Sequence, residues 1–201
     1  MRKINKTTNV RKLVVTAMLS AFAAVLMFIE IPLPFIAPDF YKLDLSELPV
    51  IIGSFSLGPI SGVVIELVKV LVHMVVKGPQ SAFIGDLANF IVGCTFILPA
   101  SIIYKHNKTK KTAVIGLIIS TVFMAIISVF LNAFLLLPAY SIFMPIEEII
   151  ELGHSIIPLI TNKFTFCIFC VLPFNLIKGI LVSIITILIY KPLSTIIHKK
   201  I

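Results

Sequence analysis

The sequence predicts an all-α integral membrane protein with six transmembrane helices, and three observations lead to this fold class. Hydrophobic residues make up 59% of the chain and charged residues only 13%, about half of the 25% usual in soluble domains. The apolar residues form blocks long enough to cross a bilayer, which takes about 20 helical residues. The basic residues cluster outside these blocks, at 2–12, 104–111 and 198–200. We therefore expect one membrane domain over residues 1–201.

The number of spans follows from the basic clusters. Cytoplasmic segments collect Lys and Arg, so all three clusters should lie on one side, with an even number of crossings between them. The block 47–76 must then cross twice, and it is interrupted by the Gly-Pro turn signal LGPISG at 57–62. Both termini are predicted to be cytoplasmic. The predicted spans are about 13–31, 47–57, 60–76, 82–104, 112–137 and 166–190.

Several function classes are excluded by the pattern. The net charge of +8 does not indicate nucleic-acid binding, because the basic residues lie at segment ends rather than in one stripe with aromatic residues. The four histidines are scattered, which argues against a metal site. Cys167 and Cys170 lie in apolar sequence and are interpreted as buried small residues. The sequence contains no phosphate-binding P-loop, so the chain should not hydrolyse ATP. An intramembrane enzyme would need a nucleophile or a metal cluster at one depth, and none is visible, so we predict no catalytic residues and no resident cofactor.

The strongest functional signal is Lys178 in LPFNLIKGIL at 172–181. It lies about a dozen residues from either end of its apolar run, or nearly 20 Å along a helix, which is too far for its ammonium to reach water. A charge at that depth costs at least about 2.5–3.5 kcal/mol, so it should face a partner or a polar cavity. Asn175, three residues earlier, shares that face, and Pro173 is predicted to bend the helix.

Two further asparagines are predicted to lie at the same depth. Asn132 comes late on an outward-running helix and Asn89 comes early on an inward-running one, so both should lie in the outer half of the membrane with Asn175 and Lys178. Asparagine amides offer a donor and an acceptor, which suits a polar, non-acidic ring with carbonyls and an N–H. The proline-rich segment 32–46 could cover the site from outside, although each asparagine could instead join helices.

Other polar or small residues suggest structural or docking roles. Glu66 and Lys69 are three apart on one span and are predicted to form an ion pair. The segment 144–160 has apolar residues at helical spacing and acidic residues on another face, which is typical of an interfacial helix. Ala17 and Ala21 on the first span form a small-xxx-small face that lets another helix approach closely; ordinary internal packing remains the alternative.

Three segments together resemble a known family. DLSELPVIIGSFSLGPISGVVIELVKVLVHMV at 44–75, GDLANFIVGCTFILPASIIYK at 85–105 and LPFNLIKGIL at 172–181 are similar to the riboflavin-specific S component of energy-coupling factor (ECF) transporters, and the similarity covers about residues 13–190. Members are six-helix proteins of the cell membrane. The resemblance implies that the chain binds riboflavin from outside and works with a transmembrane coupling subunit and two cytoplasmic ATPases.

The resemblance also implies roles for single residues. Asn132, Asn175 and Lys178 resemble flavin contacts, and Asn89 is grouped with them. Leu43 and Asp44 lie in the loop that resembles the cover of the site, and Ala17 with Ala21 resembles the docking face for the coupling subunit. Two alternatives stay open at this point: an S component for another vitamin, and an intramembrane enzyme.

Overall fold

The computed structural model of the chain describes residues 6–78 and 83–198, and side chains within 10–78 and 83–190. Its elements are, in order, α1 (Lys6–Met27), β1 (Ile31–Pro32), β2 (Lys42–Leu43), α2 (Glu47–Leu57), α3 (Pro59–Lys77), α4 (Ile84–His106), α5 (Lys110–Leu131), a π-helical segment (Asn132–Leu136), α6 (Leu137–Tyr140), α7 (Ile146–Ile156), α8 (Lys163–Phe166), a second π-helical segment (Cys167–Val171) and α9 (Leu172–His198). The predicted all-α class is confirmed, apart from one two-residue strand pair.

Five helical stretches within the described residues are long and apolar enough to cross a membrane: Val10–Met27, Pro59–Lys77, Ile84–His106, Lys110–Tyr140 and Lys163–Tyr190. The protein is therefore a membrane protein. The predicted second span, α2, has 11 residues, which corresponds to about 16 Å of helix against a hydrocarbon core of about 30 Å. The count of six spans and the side on which the termini lie remain predictions.

The turn between α2 and α3 forms where the sequence predicts it. Gly58 has φ 99°, a left-handed conformation that favours glycine because it has no Cβ. Pro59 then begins α3, at the helix position that does not need an N–H donor. Because the turn is this short, α2 and α3 pack directly against each other.

Several boundaries differ from the predicted ones. The first helix begins earlier, at Lys6, and ends at Met27, whereas the apolar block continues to residue 31. Basic residues are good helix formers, so the charged N-terminal residues do not delay the helix. Pro32, Pro34 and Pro38 follow, and proline disfavours helix at itself and at the preceding residue. The segment after Met27 instead pairs with β2, with Ile31 opposite Leu43.

The helices bury two groups of apolar side chains with a polar region between them. One group lies at the end of the bundle where α4 ends and contains a stacked pair, Phe55 and Tyr104, with ring centroids 4.3 Å apart. The second lies beneath the segment 31–43 and includes Leu43, Cys167 and Cys170. α5 packs between α4 and α9, and α3 packs against α1 and α4. The polar region occupies the space that these helices enclose.

Candidate ligand-binding site

A cavity of about 260 Å³ lies between the loop 28–46 and the helices α3, α4, α5 and α9. Apolar side chains from three elements, Met124, Leu136 and Phe174, form part of its wall. The polar part of the lining comprises Glu30, Tyr41, Lys42, Asp44, Glu47, His73, Lys77, Asp86, Asn89, Asn132, Tyr140, Asn175 and Lys178. Four of the predicted site residues on the helices, Asn89, Asn132, Asn175 and Lys178, therefore share one cavity.

Lys178 is buried at the cavity wall and is neutralised by the loop. Its Nζ lies 2.9 Å from Asp44 Oδ2 and 3.7 Å from Glu47 Oε1. Burial alone would raise the pKa of Asp44, but the charges of Lys178 and Lys69, together with hydrogen bonds from Ser46 and Lys178, outweigh it and lower that pKa to about 2. Asp44 therefore stays ionised at neutral pH. The sequence predicted that Lys178 faces a partner or a cavity, and the structure gives it both.

Asn132 and Asn175 each make the same kind of hydrogen bond within their own helix. Each side-chain amide donates to the carbonyl four residues earlier, Asn132 to Ser128 at 2.8 Å and Asn175 to Val171 at 2.9 Å. In both helices a π-helical segment, at 132–136 or 167–171, ends one residue before the Leu-Pro dipeptide. Proline cannot donate to the carbonyl four residues earlier, so a widened turn at this point is physically reasonable. The sequence predicted a bend at Pro173 but no π-helical turns.

Tyr41 connects the loop to Asn132. Its hydroxyl donates to Asn132 Oδ1 at 2.6 Å, and its ring meets the Phe174 ring edge-on with centroids 5.5 Å apart. Burial raises the pKa of Tyr41 well above its ordinary value, so the hydroxyl keeps its proton and remains a donor. The loop 28–46 is thus attached to the π-helical segment after α5 through Asn132 and to α9 through Lys178.

The deepest charged group surrounds Lys69. Its Nζ lies 2.7 Å from Glu66 Oε1, 3.0 Å from Glu47 Oε1 and 3.0 Å from Asn89 Oδ1. The predicted Glu66–Lys69 ion pair is confirmed, and Glu47 makes it a group of three charges. Gly93 permits this approach, because a Cβ there would lie 2.3 Å from Glu66 Oε1. Through its hydrogen bond from Lys69, Asn89 joins α4 to α3, and it also lines the cavity.

Above Lys69 the same face of α3 carries His73 and Lys77, each one turn further along. His73 Nδ1 lies 2.6 Å from Asp86 Oδ1. Glu30 accepts hydrogen bonds from Lys77 and, at 2.7 Å, from Lys42. Burial alone would raise the pKa of Glu30, but its bonds to the two lysines hold it below the usual value.

Exposure of these charged pairs shows where the cavity opens. The Lys69 and Glu66 side chains are 0% exposed, His73 and Asp86 are 7% and 8% exposed, and Glu30, Lys42 and Lys77 are 22%, 40% and 21% exposed. The charge groups thus form a wall that runs from the buried interior to the surface. We call the Glu30–Lys42–Lys77 group the mouth cluster. The sequence analysis missed it, although the four-residue spacing of Lys69, His73 and Lys77 was a visible signal.

Three further predicted residues lie outside the cavity lining. Leu43 is buried in the apolar group beneath the loop, so it anchors the loop rather than facing the cavity. Ala17 and Ala21 are exposed on α1, whereas Ser20 and Ala24 on the same helix are buried. Internal packing therefore uses the second pair and leaves the first pair on the outer surface of the bundle.

The arrangement suits binding of an uncharged ligand. The lining contains four carboxylates and three lysines, and each of these lysines is bonded to a carboxylate. Amide, hydroxyl and carboxylate groups supply donors and acceptors, while aromatic and aliphatic side chains supply apolar contact. Among the described residues, no group of three or more His, Cys, Asp and Glu side chains is arranged to hold a metal ion.

Comparison with known proteins identifies the family. The family model described as "ECF transporter, substrate-specific component" matches residues 11–190. The chain is 36% identical to the riboflavin transporter RibU of Staphylococcus aureus (strain TCH60), over 98% of this chain and 97% of that protein. It is 35% identical to the riboflavin transporter FmnP of Bacillus subtilis (strain 168), over 96% of each.

A solved structure described as the S component of a bacterial ECF transporter superposes with a TM-score of 0.76 at 34% identity, covering 95% of this chain and 99% of that one. The relatives are transporters, in agreement with the prediction that this chain is not an enzyme. With its buried amide and lysine side chains gathered at one cavity, this chain belongs to the substrate-specific components of ECF transporters.

Proposed function

We propose that this protein binds riboflavin at the outer side of the cell membrane and delivers it inward as the S component of an ECF transporter. The observation that carries the proposal is the cavity beneath the loop 28–46, where Asn89, Asn132, Asn175 and Lys178 meet. Two relatives named riboflavin transporters, similar over nearly the whole chain, support riboflavin as the ligand.

The proposed binding mode follows from the polar and the apolar side chains that line the cavity. The flavin ring carries carbonyls and an N–H along one edge, and Asn132, Asn175 and Lys178 can pair with them. Phe174 and Tyr41 supply aromatic surface beside the ring. A vitamin that left these buried polar groups unpaired would lose about 1–3 kcal/mol for each group.

The proposed transport role also needs topology and partners. We propose six spans with both termini in the cytoplasm, which directs the loop 28–46 outward. A transmembrane coupling subunit and two cytoplasmic ATPases supply the energy. The exposed Ala17 and Ala21 form the proposed docking face, since two small side chains four apart let a partner helix approach closely.

Ligand identification tests the proposal directly. The protein is purified in detergent, and the small molecules that copurify are identified by mass spectrometry. Quenching of riboflavin fluorescence is then titrated, with thiamine and biotin as comparison ligands. We expect stoichiometric quenching by riboflavin alone; binding of another vitamin without riboflavin would contradict the proposed ligand.

A further inference from the structure

In the mouth cluster, the carboxylate of Glu30 occupies a position where two lysine side chains could bind an anion. Glu30 comes three residues after α1 ends, and its two oxygens receive the ammonium groups of Lys42 from β2 and Lys77 from the end of α3. Its Oε1 also lies 3.8 Å from His73 Nε2. Ammonium groups from two elements, β2 and α3, therefore converge on one carboxylate at the opening of the cavity, with His73 of α3 beside them.

His73 shows that this arrangement has room for more hydrogen bonding. Its ring is buried, Nδ1 is bonded to Asp86, and its buried Nε2 has no hydrogen-bond partner. A tetrahedral oxyanion has more acceptor atoms than a carboxylate. Without Glu30, the ammonium groups of Lys42 and Lys77 would donate to such a group, and His73 would add a third donor whenever its Nε2 carries a proton.

With Glu30 in place, the opening disfavours an anionic ligand. Glu30 and Asp86 both line the cavity there, and both lysines already pair with Glu30. A phosphate monoester carries about −1.5 to −2 charges at pH 7. To enter, it would have to displace Glu30 from the lysines or lie beside two carboxylates without a cation of its own.

We propose that Glu30 is a specificity-determining residue that excludes phosphate esters of the ligand by occupying the anion site formed by Lys42 and Lys77 next to His73. This inference rests on the proposed function, since it concerns the choice between riboflavin and its 5′-phosphate. It assigns selectivity to a carboxylate at the mouth rather than to the amides that meet the ring.

The test compares dissociation constants for riboflavin and riboflavin 5′-phosphate in the wild type and in Glu30→Gln. The wild type should bind riboflavin more tightly. In Glu30→Gln the ratio of the phosphate's constant to riboflavin's should fall about tenfold, because charge-assisted bonds to two freed lysines replace the internal one. An unchanged ratio, or a wild type that prefers the phosphate, overturns the inference. A wild type that binds neither flavin contradicts the proposed function, and the inference with it.

Two further variants separate the anion site from a simple loss of negative charge. Glu148→Gln removes an exposed carboxylate on α7, outside the cavity lining, and should leave the ratio unchanged. Glu30→Gln combined with Lys77→Gln should lose most of the gain, because one phosphate donor is gone. A gain that persists in full in the double variant overturns the proposed anion site.

A salt titration of the wild type covers the case in which Glu30→Gln does not fold. From about 0.01 M to about 1 M salt the Debye length falls from about 30 Å to about 3 Å. Screening should then weaken the repulsion between the phosphate and the mouth carboxylates, and the ratio of the two constants should fall. A ratio independent of salt overturns the inference.

Discussion

A buried lysine in a membrane protein needs a counter-charge, and its cost in free energy calls for a functional explanation. Lys178 has its counter-charge in Asp44, 134 positions away in sequence. Burial of two ions usually costs more than their attraction returns, so an ion pair of this kind gives weak grounds for stability. Its place on the wall of a cavity, next to Asn175, favours a role in binding instead.

Replacing Lys178 separates binding from stability. In Lys178→Met the Asp44 carboxylate loses its cation, and breaking a buried pair in this way costs about 3–5 kcal/mol. We expect riboflavin binding to weaken at least tenfold and the thermal midpoint in detergent to fall. Both are measured on the purified variant, with Lys108→Ala, an exposed lysine outside the cavity, as the control.

The double variant Asp44→Asn with Lys178→Met removes both charges together. It should recover much of the lost thermal stability, because no buried charge is left unpaired, while binding stays weak. Full recovery of binding would mean that Lys178 serves only to neutralise Asp44.

Tyr41 provides a second test at the residue scale, because its hydroxyl fastens the loop to Asn132. Tyr41→Phe removes this bond and keeps the ring contact with Phe174. We expect riboflavin to dissociate roughly fivefold faster, since a net hydrogen bond contributes about 1 kcal/mol. Stopped-flow fluorescence measures the rate. Tyr104→Phe, which removes a hydroxyl bonded to Tyr190 in the other apolar group, should leave it unchanged; equal rates in all three proteins would contradict the role of Tyr41.

At the scale of elements, close packing of α3 and α4 brings the charged wall together. Gly93 on α4 lies against Glu66 on α3, and Glu47 from α2 meets the same point. The carboxylates of α2 and α3 can share Lys69 only because α4 has no side chain there. One glycine therefore sets the distance between α3 and α4 next to the cavity.

Gly93→Ala should lower stability even though alanine is the better helix former. The added Cβ would lie 2.3 Å from Glu66 Oε1 and 3.1 Å from Glu47 Oε1, and overpacking of this kind costs about 1–3 kcal/mol. The expected result is a lower thermal midpoint and weaker riboflavin binding. Gly85→Ala on the same helix meets only the Tyr140 hydroxyl, at 3.1 Å, and should change the midpoint less. A midpoint for Gly93→Ala equal to or above the wild type would contradict this account of the packing.

How far the sequence predicts these elements depends on the range of the signal. Helical spacing and the cost of buried charge are local or general rules, so they indicated Lys178, Asn175 and the Glu66–Lys69 pair. The attachment of Asp44 to Lys178 and of Glu30 to Lys77 joins segments 134 and 47 positions apart. The packing of the helices decides which charges meet across such distances. This packing cannot be read from a single sequence by local rules.

At the scale of the whole molecule, the charged wall runs from a dry interior to a wetter mouth. A net charge of +8 for the chain coexists with a lining that holds more carboxylates than lysines. The excess positive charge lies instead in clusters such as 104–111, next to the end of α4. We therefore propose two purposes for charge here: orientation in the membrane outside the spans, and ligand selection within the cavity.

The outer surface of α1 is the place where the whole molecule is proposed to meet its transport partner. Ala17 and Ala21 are exposed there and lie outside the cavity lining. Ala17→Trp with Ala21→Trp should therefore abolish cellular uptake of riboflavin, because two indole rings would hold a partner helix away. The purified variant should still bind riboflavin with wild-type affinity. Uptake is measured with labelled riboflavin in cells that express the partner subunits.

Ile118→Trp is the matched control, since Ile118 is 59% exposed on α5 and lies outside the proposed docking face. It should leave both uptake and binding unchanged, because a bulky apolar side chain facing lipid has little effect on folding. Loss of binding together with uptake in the alanine variant would indicate a disturbed bundle. Normal uptake by that variant would place the docking surface elsewhere, since a close helix contact through Ala17 and Ala21 has no room for two tryptophans.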